Sequence, residues 1–163
     1  MKRIKYLLCI LLFVSLLIYF YLNYIYYLIP YNPLNNIGDN PYSCHFDLNN
    51  SDGVSTTKAS DNLNNNTLIF KYFSDLNLKP LKKSTNTNRE EIFEHKNDIN
   101  FSYRFRFDPP TYYYIYINEI WLDNLSVLSI RSNKPGLHNG YYKIIDSKFD
   151  YKYVNDLITL SQD

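Results

Sequence analysis

The chain has 163 residues, enough for one small domain and a short additional segment. It carries 17 basic and 16 acidic residues; three of the cations fall within the first five positions, so the remaining 14 face 16 acidic residues, a net charge of −2. This balance argues against nucleic-acid binding, which requires a basic excess. The 18 tyrosines and the many asparagines, lysines and isoleucines are typical of an AT-rich genome and indicate a bacterial source.

The first 29 residues predict a membrane anchor. No charged residue occurs between the first five positions and Asp39, and residues 6–22 are almost entirely apolar or aromatic. A helix over residues 6–29 would be about 36 Å long and would cross a hydrocarbon core of about 30 Å. Pro30 then ends the helix. We therefore predict a single-pass transmembrane signal-anchor over residues 1–29, with residues 6–29 in the bilayer.

The residues that flank this segment predict its orientation. The cations cluster at its N-terminal end, as Lys2, Arg3 and Lys5, and the next one along the chain is Lys58. The positive-inside rule then keeps the N-terminus cytoplasmic and places the remaining chain outside, in a periplasmic or extracellular compartment. Tyrosines at the far end suit the membrane interface: Tyr24, Tyr26 and Tyr27.

A cleaved secretory signal is the alternative interpretation of the same segment. Cleavage requires small residues just after the apolar core. The only alanine of the chain is Ala59, and the region that follows the apolar core consists of Tyr, Leu, Ile, Asn and Pro. An uncleaved anchor is therefore favoured. A lipoprotein anchored through Cys9 is not supported, because almost no apolar region precedes that cysteine.

Residues 30–66 read as a flexible, disordered spacer. They are rich in Pro, Asn and Ser and contain too little apolar surface to offset the entropy of ordering. Cys44 falls in this spacer and Cys9 in the anchor, so an intramolecular disulfide is not expected, and an intermolecular bridge through Cys44 stays open.

Residues 67–163 predict a small α+β extracytoplasmic domain. The predicted sheet is an antiparallel β-meander of three to four strands, and two amphipathic helices cover it. The helices are expected over about 63–77 and 151–160, and the strands over 101–107, 111–117, 125–131 and 141–145.

Two tyrosine-rich strands carry the clearest pattern. In residues 101–107 aromatic side chains alternate with Ser and Arg, which indicates a strand with one buried face. The next strand has aromatic and β-branched residues on both faces, so one set must face solvent or a partner. We predict three tyrosines of one face as partner contacts: Tyr112, Tyr114 and Tyr116.

Motifs of catalysis or metal binding are lacking. Glu90, Glu91, Glu94 and His95 form a charged stretch without the H-E-x-x-H arrangement, and Cys44–His45 lies in the predicted spacer. No P-loop, G-x-S-x-G or C-x-x-C occurs. We predict neither enzyme activity nor a metal or cofactor.

Two functions from different classes follow. The first is a membrane-anchored protein whose outer domain binds another, unknown protein, with an immunity-type role as one form of it. The alternative is a structural or assembly subunit of an envelope complex, in which the transmembrane helix is part of the contact.

Overall fold

A computed structural model describes residues 2–49, 55–82, 100–107, 112–122, 125–145 and 149–159. Helix α1 (Lys2–Phe20) continues into a π-helical turn (Tyr21–Ile25). Seven strands and two helices follow in chain order: β1 (Ser43–Asn49), β2 (Ser55–Ser60), α2 (Leu63–Asp75), β3 (Leu78–Leu81), β4 (Asn100–Phe107), β5 (Tyr113–Leu122), β6 (Leu125–Ser132), β7 (Gly140–Ile144) and α3 (Tyr151–Thr159).

The described strands form one antiparallel sheet in the order β2-β1-β4-β5-β6-β7-β3. The predicted α+β class with an antiparallel sheet and two further helices is confirmed. The prediction of three to four strands is wrong, since it recognised only the meander β4 to β7. The meander is extended on one side by β1 and β2 and on the other by β3.

One face of the sheet packs on the helices through aromatic rings. The ring of Phe73 on α2 lies 4.8 Å from that of Tyr103 and 5.8 Å from that of Phe105. Phe70 contacts the rings of Phe105 and Phe107 edge-on, each at 5.2 Å. The helix α3 adds Val154 and Ile158 to the same core. The alternation predicted for β4 is confirmed: its four aromatic residues are all buried, namely Phe101, Tyr103, Phe105 and Phe107.

The prediction of a disordered spacer over residues 30–66 is wrong for the part of that range the structure describes. Its first residues dock on the domain, where the amide of Asn32 donates to the carbonyls of Phe73, Ser74 and Leu76 at 2.8–2.9 Å. These carbonyls belong to the C-terminal end of α2 and the residue after it, where intrahelical donors run out; that of Phe73 also accepts from the Leu76 N–H at 3.4 Å. Leu34 is fully buried beside them. The asparagine content of this range suggested disorder, but the side chain of Asn32 makes hydrogen bonds to backbone carbonyls of the domain.

The remaining part of the predicted spacer forms β1 and β2. In β1 the side chains of Cys44 and Phe46 are buried, while β2 contains no large apolar residue. An edge strand needs little apolar surface, because the neighbouring strand satisfies one side of its backbone. Composition alone therefore missed β2. Similarly, β3 has only four residues and contains Pro80, which is tolerated at a sheet edge.

One described helix is long and apolar enough to cross a membrane. It runs from Arg3 to Ile25, and its side chains are exposed. This agrees with a membrane anchor or with a signal sequence. Two of its uncharged polar side chains bond within the helix: the Ser15 hydroxyl donates to the Leu11 carbonyl at 2.8 Å, and the Asn23 amide donates to the Tyr19 carbonyl at 2.9 Å.

Candidate functional site

The second face of the sheet is the face on which neither α2 nor α3 packs. On β5, Tyr113 and Ile115 point into the core and are 3% and 0% exposed, whereas Tyr114 on the opposite face is 39% exposed. The strand is therefore covered on one side along these residues. Its side chains thus form an inner and an outer set, as the sequence predicts for a sheet with one covered face.

Arginine and tyrosine side chains lie together on this second face. Strand register places Arg104 of β4 opposite Tyr116 of β5, and His45 of β1 opposite Arg104. The guanidinium of Arg104 lies 5.1 Å from the centre of the Tyr116 ring, within cation–π range. The rings of Tyr114 and Tyr116 are 6.3 Å apart. We call the surface formed by His45, Arg104, Arg106, Tyr114 and Tyr116 the arginine–tyrosine face.

The predicted contact residues keep to one side of the chain. Tyr114 and Tyr116 belong to the arginine–tyrosine face, and Tyr112 is 67% exposed immediately before β5. The sequence did not associate Arg104 and Arg106 with these tyrosines. The alternation of residues 101–107 does place both arginines on the solvent side of their strand. The strand register that brings them next to the tyrosines cannot be read from the sequence.

A polar cluster lies at the start of β5. The hydroxyl of Tyr113 donates to Asp39 Oδ2 at 2.9 Å, and Lys134 Nζ lies 3.3 Å from the same oxygen. Both contacts lower the pKa of Asp39, and the hydrogen bond from Tyr113 has the larger effect. Burial, with a smaller contribution from Asp39, raises the pKa of Tyr113. A raised pKa is the opposite of what an activated phenolate needs, so we interpret this cluster as structural.

Cys44 and His45 do not form a nucleophile–base pair. Neighbouring residues of a strand point to opposite faces, and Cys44 is 2% exposed in the core while His45 lies on the arginine–tyrosine face. Burial raises the pKa of the Cys44 thiol to about 12. The thiolate is therefore negligible at neutral pH, and an intermolecular disulfide through Cys44 would require the sheet to open.

The end of the apolar helix contacts the domain directly. A side-chain hydrogen bond joins Tyr26 and Tyr142, and the Tyr142 hydroxyl donates to the His138 carbonyl at 2.7 Å. Burial raises the pKa of Tyr142, and the bond with Tyr26 raises it further. The rings of Tyr26 and Tyr31 lie 5.7 and 6.1 Å from that of His138. The predicted interfacial tyrosines are thus divided: Tyr24 stacks on Phe20 within the helix at 5.1 Å, while Tyr26 packs on the domain.

The charged stretch with Glu90, Glu91, Glu94 and His95 lies outside the described residues. In the described ranges, no three His, Cys, Asp or Glu side chains are arranged to hold a metal ion. The predicted anchor-flanking cations Arg3 and Lys5 are exposed on the first turns of α1, which begins at Lys2.

Comparison with known proteins gives no relative. No protein-family model matches the chain, and neither a curated protein nor a solved structure shows significant similarity to it.

Proposed function

We propose that this chain is a single-pass membrane-anchored protein whose outer domain binds another protein through the arginine–tyrosine face. Its N-terminus lies in the cytoplasm and its domain in a periplasmic or extracellular compartment. The observation that carries the proposal is the pairing of Arg104 with Tyr116 on a sheet face that the two domain helices leave free. An immunity-type role is one instance of this function.

The residue types of this face support a protein partner. Tyrosine and arginine are enriched in protein interfaces and in their energetic hot spots, because they offer a large contact area and several hydrogen-bond donors. Arg104 and Tyr116 already form a cation–π contact in the unbound protein. Because this contact orders both side chains, less side-chain entropy is lost on binding. The arginines favour a partner that presents carboxylates.

The alternative is an assembly subunit that uses its transmembrane helix as part of the contact. Polar side chains in such helices often bond across to a partner helix. In α1 and its π-helical turn, however, Ser15 and Asn23 already bond to carbonyls of their own helix. This favours the binding domain. Replacing residues 6–22 by an unrelated apolar helix should preserve partner binding, whereas an assembly subunit would lose it.

Site-specific photo-crosslinking in intact cells tests the proposed face. A photoreactive phenylalanine analogue replaces Tyr114, which is 39% exposed, or as the matched control Tyr153 of α3, which is 43% exposed on the other side of the sheet. We expect a discrete adduct from position 114 that disappears in an Arg104→Glu background. The melting temperature of Arg104→Glu should stay within a few degrees of the wild type, because Arg104 is exposed.

Equal adducts from both positions would contradict the proposed face, and so would an adduct at position 114 that Arg104→Glu leaves unchanged. Arg104→Lys serves as the conservative variant. It keeps the charge but not the planar guanidinium, so partial retention of the adduct is expected.

A further inference from the structure

A cleft of about 410 Å³ lies between the end of the apolar helix and the edge of the sheet. Tyr26 and Tyr27 line one side, and Leu81 of β3 and Tyr141 of β7 line the sheet side. Arg131 of β6 also lines it. The cleft therefore lies at the contact between the end of the apolar helix and the domain, where Tyr26 packs near His138 and lines the same cleft as Tyr142.

Arg131 supplies an uncommitted charge to this cleft. Its side chain is exposed, and within the described ranges it forms neither an ion pair nor a side-chain hydrogen bond. Two other polar groups of the cleft are already used. The amide of Asn139 bonds to both backbone groups of Ser132, and the Tyr142 hydroxyl donates to His138. Among the described residues that line the cleft, Arg131 is the cation, and its guanidinium is available to a ligand.

A second cation lies beside the helix near the same cleft. Lys82, the residue after Leu81, places its ammonium 5.4 Å from the centre of the Tyr24 ring. Tyr24 belongs to the π-helical turn in which the apolar segment ends. Two cations, Lys82 and Arg131, thus lie where the chain leaves the apolar helix. This arrangement favours an anion and disfavours the amine of a zwitterionic headgroup.

The position of the cleft along the chain indicates which ligands are near it in the membrane. The apolar segment from Arg3 to Ile25 has 23 residues, about 34 Å of helix, which matches the thickness of the hydrocarbon core. Tyr26 and Tyr27 follow immediately, at the depth of the lipid headgroups. Phosphate groups are abundant at that depth.

We propose that this cleft binds the headgroup of an anionic phospholipid, whose phosphate is contacted by Arg131. The planar guanidinium presents paired N–H donors that match phosphate oxygens, and the two tyrosines flank the headgroup. The inference rests on the proposed membrane anchoring but not on the partner bound at the arginine–tyrosine face. A bound lipid would fix the domain close to the membrane surface.

Native mass spectrometry of the full-length protein in detergent tests this site. Phosphatidylglycerol, phosphatidylcholine and inorganic phosphate are added separately at equal concentrations. We expect a retained phosphatidylglycerol adduct, and about tenfold weaker binding in Arg131→Gln, since a charge-assisted pair is lost. Lys71→Gln removes an exposed cation from α2, outside the cleft, and should bind lipid like the wild type.

Three outcomes would overturn the proposal: equal retention of phosphatidylcholine, wild-type lipid binding by Arg131→Gln, or equal binding of inorganic phosphate, which would assign the cleft to a soluble anion. The melting temperature without lipid shows whether Arg131→Gln is folded; if it is not, Arg131→Lys takes its place and should bind more weakly than the wild type. The same spectra give the intact mass, which reports anchor retention. The Tyr114 cross-link in wild-type cells reports the partner-binding function separately, because Arg131 lies opposite Tyr116 in the strand register and its replacement alters both surfaces.

Discussion

Asn32 shows how one polar side chain can organise the segment that follows the apolar helix. It is 5% exposed. Its amide group donates to three carbonyls near the end of α2, and its Oδ1 accepts from the Leu34 N–H at 2.9 Å. Burial of a polar group is costly unless its hydrogen bonds are made. Here all of these bonds are within the protein, so Asn32 both ends α2 and holds residues 31–34 on the domain.

Replacement of Asn32 should therefore destabilise the domain strongly. We expect Asn32→Ala to lower the free energy of unfolding by about 2–4 kcal/mol, because each buried group left without its hydrogen bond costs about 1–3 kcal/mol. Asn36→Ala is the matched control: Asn36 is exposed, and its replacement should change stability by no more than about 0.5 kcal/mol. Urea unfolding followed by circular dichroism measures both. Similar values for the two variants would show that Asn32 does not hold the segment.

At the level of elements, β1 and β2 complete the sheet on the side of β4. The backbone of β1 pairs with β4 from Ser43–Arg106 to Asn49–Asn100, and the ring of Phe46 lies 4.7 Å from that of Tyr103. Without β1, the edge of β4 would expose unpaired backbone groups and an aromatic surface. The domain thus begins near Tyr31, whose N–H donates to the Leu78 carbonyl of β3 at 2.7 Å, and not at residue 67.

Two fragments distinguish these domain boundaries. Residues 31–163 should fold with a cooperative thermal transition, since they retain all seven strands. Residues 67–163 should fail to fold or should aggregate, because β1, β2 and the first turn of α2 are missing. Circular dichroism melts and size-exclusion chromatography give the comparison. A cooperative, monomeric fragment 67–163 of similar stability would restore the view that residues 30–66 are only a spacer.

For the whole molecule, the decisive question is whether the apolar helix is retained. The domain is packed on the end of this helix through Tyr26, Tyr31 and His138. Cleavage within or just after the helix would remove these contacts. Retention is therefore required both for anchoring and for the proposed lipid cleft.

Intact mass of the protein purified from membranes measures retention directly. We expect the mass of the full chain, 19.5 kDa, and resistance to extraction by alkaline carbonate, because a predominantly apolar helix of 23 residues would remain in the bilayer. A mature N-terminus between residues 23 and 44 would contradict the anchor. The soluble fragment 31–163 is the control for extraction.

Several elements could be predicted from the sequence because their information is local. The apolar helix follows from composition, α2 from helical spacing, and β4 from the alternation of aromatic and polar residues, which fixes the buried face of a strand whatever its neighbours. The same alternation placed Tyr112, Tyr114 and Tyr116 on one side of the chain. It could not show which side the helices cover.

The tertiary structure alone decided the rest. Register between β4 and β5 brings Arg104 to Tyr116, although twelve positions separate them, and packing of the end of the apolar helix near β7 forms the cleft around Arg131. The sequence between residues 30 and 66 is poor in apolar residues, yet its described residues are ordered: Asn32 bonds to carbonyls near the end of α2, and Asn66 bonds to the carbonyls of Tyr42 and Ser60. Such bonds depend on which backbone groups are left unpaired elsewhere in the fold, and local composition carries no record of them.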